Sequence, residues 1–147
     1  MTSPILDGMT PDHLKVRSGK LVIDSIEVMA DIGFHDFEVG TPQRLLVSAE
    51  IWIDELTRPP ARDDKASAWN YDFVVEEIRR IATERRFNLQ ETLAHALFDR
   101  LAQARGVEAI RIRTVKPDVY PDAAGVGVEI ASFTGPTPVK RGSSAMK

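Results

Sequence analysis

The order of apolar repeats along the chain is the feature that most restricts its fold. Apolar and polar residues alternate at 21–34 and again at 44–54, which is typical of half-buried strands. Apolar residues then recur at helical spacing in two segments, from about Tyr71 and from Asn88 to Gly106, and alternation returns at 108–117 and 125–133. This β-β-α-α-β-β order lacks the strand–helix–strand units that build parallel sheets. We therefore expect an α+β fold, an antiparallel four-stranded sheet with two helices on one face.

The same repeats predict which side chains form the core. Gly40 and Pro42 favour a hairpin between the first two strands, and Trp52 and Phe133 fall on the outer face of the sheet, away from the helices. Because that face and the sheet edges need covering, we expect an oligomer. The predicted core residues are Ile26, Val28, Ala30, Ile32, Leu45, Val47, Ala49, Ile51, Ile53, Val74, Ile78, Ile81, Leu93, Ala94, Leu97, Phe98, Leu101, Ile110, Ile112, Val126, Val128 and Ile130.

Length and composition are those of one globular domain. The chain has 147 residues, of which 43% are apolar, enough to bury a single core. Both ends are rich in Pro, Ser, Gly and Thr without sustained periodicity. We expect a domain at residues 20–134, with flexible tails at 1–19 and 135–147.

Charge and cysteine content exclude several classes of function. The net charge is −3 and basic residues are interleaved with acidic ones, so nucleic acid is not an expected partner. The absence of cysteine excludes disulfides, thiolate metal sites and thiol nucleophiles, and is compatible with a reducing cytosol. No apolar run approaches the roughly 20 residues of a membrane span, and the first residues lack a signal-peptide core. We expect a cytoplasmic protein without a membrane partner.

Asn88 and Glu91, which open the second helical segment, have two interpretations. Their spacing is that of a capping box, in which the Asn side chain accepts from a backbone amide and the Glu reaches back to the cap amide. Alternatively, the Glu91 carboxylate accepts paired hydrogen bonds from the N–H groups of a ligand. The motif alone does not decide between them.

Three further residues each have an ordinary and a functional interpretation. Lys116 lies at a strand end before Pro117, where a lysine is usually solvated, whereas a catalytic lysine must be desolvated enough to lose and regain a proton near neutral pH. Glu38, in the first hairpin, would ordinarily be a surface carboxylate, and Tyr71 would ordinarily pack at a helix start.

Signals for metals and nucleotide cofactors are absent from the sequence. His13, His35 and His95 are far apart and show neither H-x-H nor H-x-x-x-H spacing, so we expect no metal site. The phosphate-binding GxxxxGK loop, the GxGxxG motif and the GxSxG motif do not occur. We expect no cofactor.

Five segments together resemble the dihydroneopterin aldolase family. They are IGFHDFEVGTPQRLLVSAEI, NYDFVVEEI, FNLQETLAHAL, TVKP and GVGVEI, and the resemblance covers residues 21 to about 133. It implies the tunnelling fold, in which four β-β-α-α-β-β subunits form a ring whose strands make a β-barrel, often with two rings stacked as an octamer. The active sites of such a ring lie at subunit interfaces.

The resemblance also implies an activity. Members of the family cleave 7,8-dihydroneopterin by retro-aldol chemistry into 6-hydroxymethyl-7,8-dihydropterin and glycolaldehyde, a step of folate biosynthesis. Many also epimerise the 2′ carbon. The pterin substrate is the implied small-molecule partner, and the reaction needs no metal, cofactor or Schiff base.

Family roles can be carried over to the matching positions. Lys116 matches the acid/base lysine, and Glu38 matches the hairpin glutamate that helps to bind substrate and to position the lysine and a water. Tyr71 matches the tyrosine that comes from a neighbouring subunit, stacks near the ring and helps to deliver a proton.

The pterin-binding positions match residues at the start of the second helix. Glu91 matches the glutamate that anchors the 2-amino and N3–H edge of the pterin. Backbone amides around Leu89 and Gln90 complete the implied pocket.

Two other functions remain open on the sequence. A dihydroneopterin triphosphate 2′-epimerase would need cations for the triphosphate, and Arg44, Arg111 and Arg113 are candidates. A non-catalytic pterin-binding ring is the other alternative. The presence of Glu38 and Lys116 together with the binding residues argues against it.

Overall fold

The computed structural model describes residues 5–6 and 8–139. Its strands form one antiparallel sheet in the order β1-β2-β3-β4, which confirms the predicted fold. Residues 1–4, 7 and 140–147, which belong to the two predicted tails, lie outside the described residues. The elements are β1 (Lys20–Ala30), β2 (Gln43–Ile53), α1 (Tyr71–Glu84), α2 (Gln90–Leu101), β3 (Val107–Lys116) and β4 (Val126–Ala131).

The core lies between the sheet and the two helices, as the periodicity predicts. Val74 and Ile78 of α1 and Leu93 and Leu97 of α2 are fully buried and belong to one apolar cluster with the inner face of β2 and β3. Val128 and Ile130 of β4 are only partly buried against this cluster, and Val126 is 40% exposed. The helices thus cover the middle of the sheet more completely than its β4 edge.

A bulge in β1 changes which face its residues occupy. Ile23 pairs with Ala49 and Ile26 pairs with Val47, so Asp24 and Ser25 together lie opposite one residue. Ser25 has a φ of 58°, and its backbone N–H donates to the Ser48 side chain at 2.9 Å. The inward positions therefore shift from odd to even numbers along β1.

Trp52 and Phe133 do not form the exposed apolar face that the sequence predicts. Trp52 is only 7% exposed, since its ring meets Phe133 edge-on at 5.1 Å and the cationic groups of Lys20 and Arg111 lie 5.0 Å and 5.6 Å from its centroid. The chain covers this aromatic pair itself. What remains open to pairing, within the described part of the chain, is the outer edge of β1 and of β4.

The second helix is shorter at both ends than its apolar repeat. It begins at Gln90 rather than Asn88 and ends at Leu101, five residues before Gly106. Gly106 has a φ of 82° and lies in the turn that leads into β3. In the described residues no helix has the length and apolarity to cross a membrane.

Candidate active site

Lys116 is the last residue of β3, and its side chain points into the protein. Ile110, Ile112 and Thr114 occupy the core face of this strand and are buried, and Lys116 follows them at the same two-residue period. It is 8% exposed. The interpretation of Lys116 as a solvated strand-end lysine is therefore wrong.

Glu38 meets Lys116 from the loop that joins β1 to β2. The Lys116 ammonium donates to Glu38 Oε2 at 2.8 Å, and Glu38 is itself 8% exposed. Gln43 Nε2 donates to the same oxygen at 2.8 Å, while the Nδ1 and backbone N–H of His35 lie 2.9 Å and 3.2 Å from Oε1. Glu38 is thus a buried carboxylate with two donors on each oxygen, and not a surface group.

This environment keeps Glu38 ionised. Burial alone would raise the pKa of Glu38, but the hydrogen bonds from Lys116, Gln43 and His35 act the other way and lower it from 4.5 to about 2. A carboxylate that is charged at neutral pH can hold the Lys116 ammonium in a fixed direction.

The free energy of unfolding at acid pH is expected to depend on the ionised Glu38 carboxylate and its hydrogen bonds. Because the pKa of Glu38 is lower in the folded chain, its contribution to the free energy of unfolding is present above pH 4.5 and is lost as the pH falls towards about 2. Because solvent screens charges at the loop, we expect Glu38 to contribute about 1–2 kcal/mol to the free energy of unfolding at neutral pH. Urea unfolding at fixed protein concentration should show a difference between wild type and Glu38→Gln at pH 6 that shrinks progressively as the pH falls from 4.5 to about 2. A difference that stays constant from pH 6 to about 2 would contradict the assignment.

Gln43 and Gly33 support Glu38, and neither was identified from the sequence. The Gln43 amide bridges Glu38 and the Ile32 carbonyl, which accepts at 2.7 Å. A Cβ on Gly33 would lie 2.2–2.4 Å from the Glu38 carboxylate atoms. The sequence shows only that Gly33 precedes a loop with an acidic residue. It does not show that the Glu38 carboxylate packs against Gly33, which is what makes the glycine necessary.

Substitution of Gly33 by alanine is expected to displace Glu38. The new Cβ overlaps the carboxylate, and the Gly33 φ of 133° is strained for alanine, so we expect a loss of about 2–4 kcal/mol in the free energy of unfolding together with reduced turnover. The matched control is Gly40→Ala, because Gly40 has a φ of 74° and nothing within 4 Å of its Cβ position. That variant carries only the backbone strain of about 1–2 kcal/mol. Equal losses in the two variants would show that the carboxylate contact is unimportant.

Arg86 fixes the base of the Glu38 loop. Its guanidinium donates to the Gly33 carbonyl, forms an ion pair with Asp31 at 3.2 Å and donates to Asn88 Oδ1 at 2.5 Å. Asp31 in turn accepts from the backbone N–H of Gly40 at 3.1 Å. Arg86 therefore connects both ends of the loop to the segment that precedes α2.

The start of α2 does not form the capping box, which was one of the two interpretations of Asn88 and Glu91. Leu89 is the N-cap residue and makes no side-chain cap bond, while Asn88 is occupied by Arg86. Glu91 is exposed in the first turn, and among residues 5–6 and 8–139 no group hydrogen-bonds its carboxylate. Its two oxygens are therefore available to a ligand beside the unpaired amides of a helix N-terminus.

Gln90 ties the start of α2 to the end of β3. The Thr114 hydroxyl donates to Gln90 Oε1 at 2.9 Å, and Gln90 Nε2 donates to the Val126 carbonyl at 3.2 Å. Val126 pairs with Lys116 across β3 and β4. The exposed residues Leu89 and Glu91 on either side of Gln90 consequently lie near the strand end that carries Lys116.

Tyr71 is an exposed residue at the start of a helix. It is the first residue of α1, where Asn70 caps the helix by accepting from the Asp72 N–H at 3.0 Å. The residue is 55% exposed, and in the described part of the chain no hydrogen bond joins it to Glu38, Lys116 or Glu91.

The arginines that a triphosphate epimerase would use either lie on the opposite face of the sheet from Lys116 or are held in ion pairs. Arg111 and Arg113 occupy β3 positions on the opposite face of the sheet, and Arg111 forms an ion pair with Glu50 at 3.1 Å. Arg44 is paired with Asp118 at 3.1 Å and Glu27 at 3.4 Å. These contacts do not favour a triphosphate site beside Lys116.

Comparison with known proteins agrees with the resemblance seen in the sequence. A dihydroneopterin aldolase from Haemophilus influenzae is 28% identical over 111 residues, which cover 76% of this chain and 93% of that protein. The structure of a dihydroneopterin aldolase from Burkholderia thailendensis bound to guanine superposes with a TM-score of 0.69 at 27% identity, covering 84% of this chain and 98% of that one. The Escherichia coli dihydroneopterin aldolase in complex with neopterin gives 0.65 at 26% identity, covering 78% and 99%. The family model FolB: Dihydroneopterin aldolase matches residues 21–131, and the chain therefore belongs to the dihydroneopterin aldolase family.

Proposed function

We propose that this chain cleaves 7,8-dihydroneopterin into 6-hydroxymethyl-7,8-dihydropterin and glycolaldehyde. The observation that carries the proposal is the buried Lys116–Glu38 pair, with 2.8 Å between Nζ and Oε2, next to a helix start where Glu91 is free to bind. A retro-aldol enzyme needs these two functions, a group that moves protons and a grip on the substrate.

Lys116 is the proposed acid/base. When a base removes the proton of the 2′-hydroxyl, that oxygen becomes the aldehyde oxygen and the C1′–C2′ bond breaks. The bonding electrons pass through C6 to N5 and form an enamine, which is then protonated at C1′ to give the hydroxymethyl product. Glu38 holds the lysine for both transfers, and all four of its hydrogen bonds point to a positioning role.

Glu91 is the proposed anchor of the pterin. Neopterin and guanine, which are bound in the solved relatives, share an edge with an amino group beside a ring N–H. A carboxylate can accept both hydrogen bonds of that edge. The backbone amides around Leu89 and Gln90 are proposed to bind acceptor atoms of the same ring.

We also propose that the reaction requires neither a metal nor a Schiff base. The N5=C6 imine of the dihydropterin is already the electron sink that either device would otherwise supply. Recombination of the enamine with the other face of the glycolaldehyde carbonyl would give the 2′ epimer, so epimerase activity is included in the proposal.

The working form is proposed to be a four-subunit ring or a pair of rings forming an octamer, in the cytoplasm. The open edges of β1 and β4 in the described chain support pairing between subunits. The exposed ring of Tyr71 supports its contribution across that interface to a neighbouring site, where it would stack near the pterin and assist protonation. The absence of cysteine agrees with a reducing compartment.

One assay tests the activity and its chemical requirements. Purified protein is incubated with 7,8-dihydroneopterin, with and without EDTA, and both products are followed by chromatography. We expect equal formation of the two products in both reactions, and no mass adduct on the protein after borohydride treatment. Loss of activity in EDTA or a trapped adduct would overturn the corresponding chemical proposal.

The same assay separates the alternatives. Formation of the 2′ epimer without cleavage would indicate an epimerase, and turnover of only the triphosphate would favour the triphosphate epimerase. Pterin binding without change of either substrate would indicate a binding ring.

A further inference from the structure

We propose that His35 is a further functional residue of this site, which controls through Glu38 how readily Lys116 exchanges its proton. The proposal rests on the proposed function, in which Lys116 is the acid/base. His35 is argued to act through the carboxylate and is therefore a positioning residue.

The geometry places His35 and Lys116 on opposite oxygens of one carboxylate. His35 Nδ1 is 2.9 Å from Glu38 Oε1, and Lys116 Nζ is 2.8 Å from Oε2. The lysine is buried, whereas the His35 side chain is 56% exposed. The imidazole is thus the solvent-facing end of a three-group arrangement whose other end is the buried amine.

The ionised carboxylate fixes which imidazole nitrogen carries the hydrogen of the neutral ring. A carboxylate can only accept hydrogen bonds, so Nδ1 must carry the hydrogen that it donates to Oε1. Any proton added to the ring must therefore go to Nε2. The rings of Phe34 and Phe37 lie 4.5 Å and 5.2 Å from the imidazole and restrict its orientation.

The charges around His35 come from three parts of the fold. Glu38 and the neighbouring Asp36 belong to its own loop, and Lys116 reaches the shared carboxylate from β3. The Arg86–Asp31 pair lies under the loop at Gly33 and Gly40, where its charges largely cancel. Among these groups, only Glu38 contacts the imidazole directly.

Protonation of His35 therefore places two cations on one carboxylate. The imidazolium takes part of the negative charge that holds the Lys116 ammonium, so the lysine releases its proton more easily. The coupling is reciprocal, and the charge on Lys116 must equally oppose protonation of His35. This reciprocity can be measured without any catalysis.

The first test follows the imidazole signals by NMR during a pH titration of wild type and Lys116→Met. The chain contains only three histidines, and His13 and His95 serve as internal controls. Removal of the lysine charge should raise the His35 titration midpoint and leave those of His13 and His95 unchanged. Coincident His35 curves in the two proteins would overturn the proposal.

The second test compares pH–rate profiles of wild type and His35→Asn. Asparagine can keep a neutral N–H donor to Glu38 but cannot take up a proton, so an inflection of kcat that the imidazole causes in wild type should disappear while the melting temperature changes little. His95→Gln, an exposed change on α2, should keep the inflection. A pH–rate profile of His35→Asn that matches wild type would contradict the proposal. This second test does not need Lys116→Met, so it applies even if that variant does not fold.

Failure of the proposed function gives a different result, since wild type would then show no turnover at all while the NMR coupling remained measurable.

Discussion

Replacement of Lys116 by methionine is expected to lower kcat for 7,8-dihydroneopterin by about 10²–10⁴-fold, the range associated with loss of a general acid/base. Methionine keeps most of the volume at this buried position but cannot carry a proton. The pterin ring is proposed to be held at Glu91, so the dissociation constant of neopterin, measured by calorimetry, should stay close to the wild-type value. A loss in kcat without a loss in affinity is the signature of an interaction used in the chemical step.

The control for this variant is Lys20→Met. Lys20 pairs with Glu50 at 2.9 Å on the outer face of the sheet, so its removal deletes a charge without touching the site. Thermal melting of both variants checks that the fold survives, because Lys116→Met leaves Glu38 with three of its four donors. Turnover within tenfold of wild type would refute the acid/base role. Absence of turnover in the wild type as well would instead leave a pterin-binding ring.

The main elements could be predicted because burial imposes a period on the sequence. Residues such as Val47 and Ile112 recur at the spacing of a strand, and Val74 and Ile78 at that of a helix, since each must face the same core. The bulge at Ser25 could not be read in this way, because it depends on which residue of β2 lies opposite. Trp52 lies on the outer face of the sheet as predicted, but its burial could not be predicted for a similar reason, as its cover comes from Lys20, Arg111 and Phe133 of other strands and loops.

Only part of the candidate site could be predicted from the local sequence pattern. The inward direction of Lys116 follows from the two-residue period through Ile112 and Thr114, but a strand-end lysine by itself does not reveal a buried partner. Burial of Glu38 requires Gln43 and Lys116, one of them 78 residues away, and local composition carries no sign of that contact. The capping box failed because Arg86 takes the Asn88 side chain, a competition that the motif spacing does not contain.

Replacement of Glu91 by glutamine is expected to weaken neopterin binding by about 10–100-fold, which corresponds to the loss of a charge-assisted hydrogen bond. Glutamine has nearly the same shape, but it loses the charge and presents an N–H group to the donors of the pterin edge. The carboxylate makes no hydrogen bond within residues 5–6 and 8–139, so its substitution should leave the free energy of unfolding nearly unchanged. The measurement is a calorimetric titration together with kcat at saturating substrate, which should fall much less than kcat/KM.

The matched control is Glu76→Gln, since Glu76 is likewise an exposed helical glutamate, on α1. Its effect on affinity should be within the error of the titration, which separates the loss of a specific contact from the loss of one negative charge. If Glu91→Gln binds neopterin as tightly as wild type, the pterin edge must be read elsewhere, and the free carboxylate at the start of α2 would have no part in recognition. If both variants weaken binding equally, the effect is one of net charge. Only a loss of neopterin affinity that is confined to Glu91→Gln supports the role of Glu91, whose carboxylate takes no part in capping α2, as the anchor of the pterin.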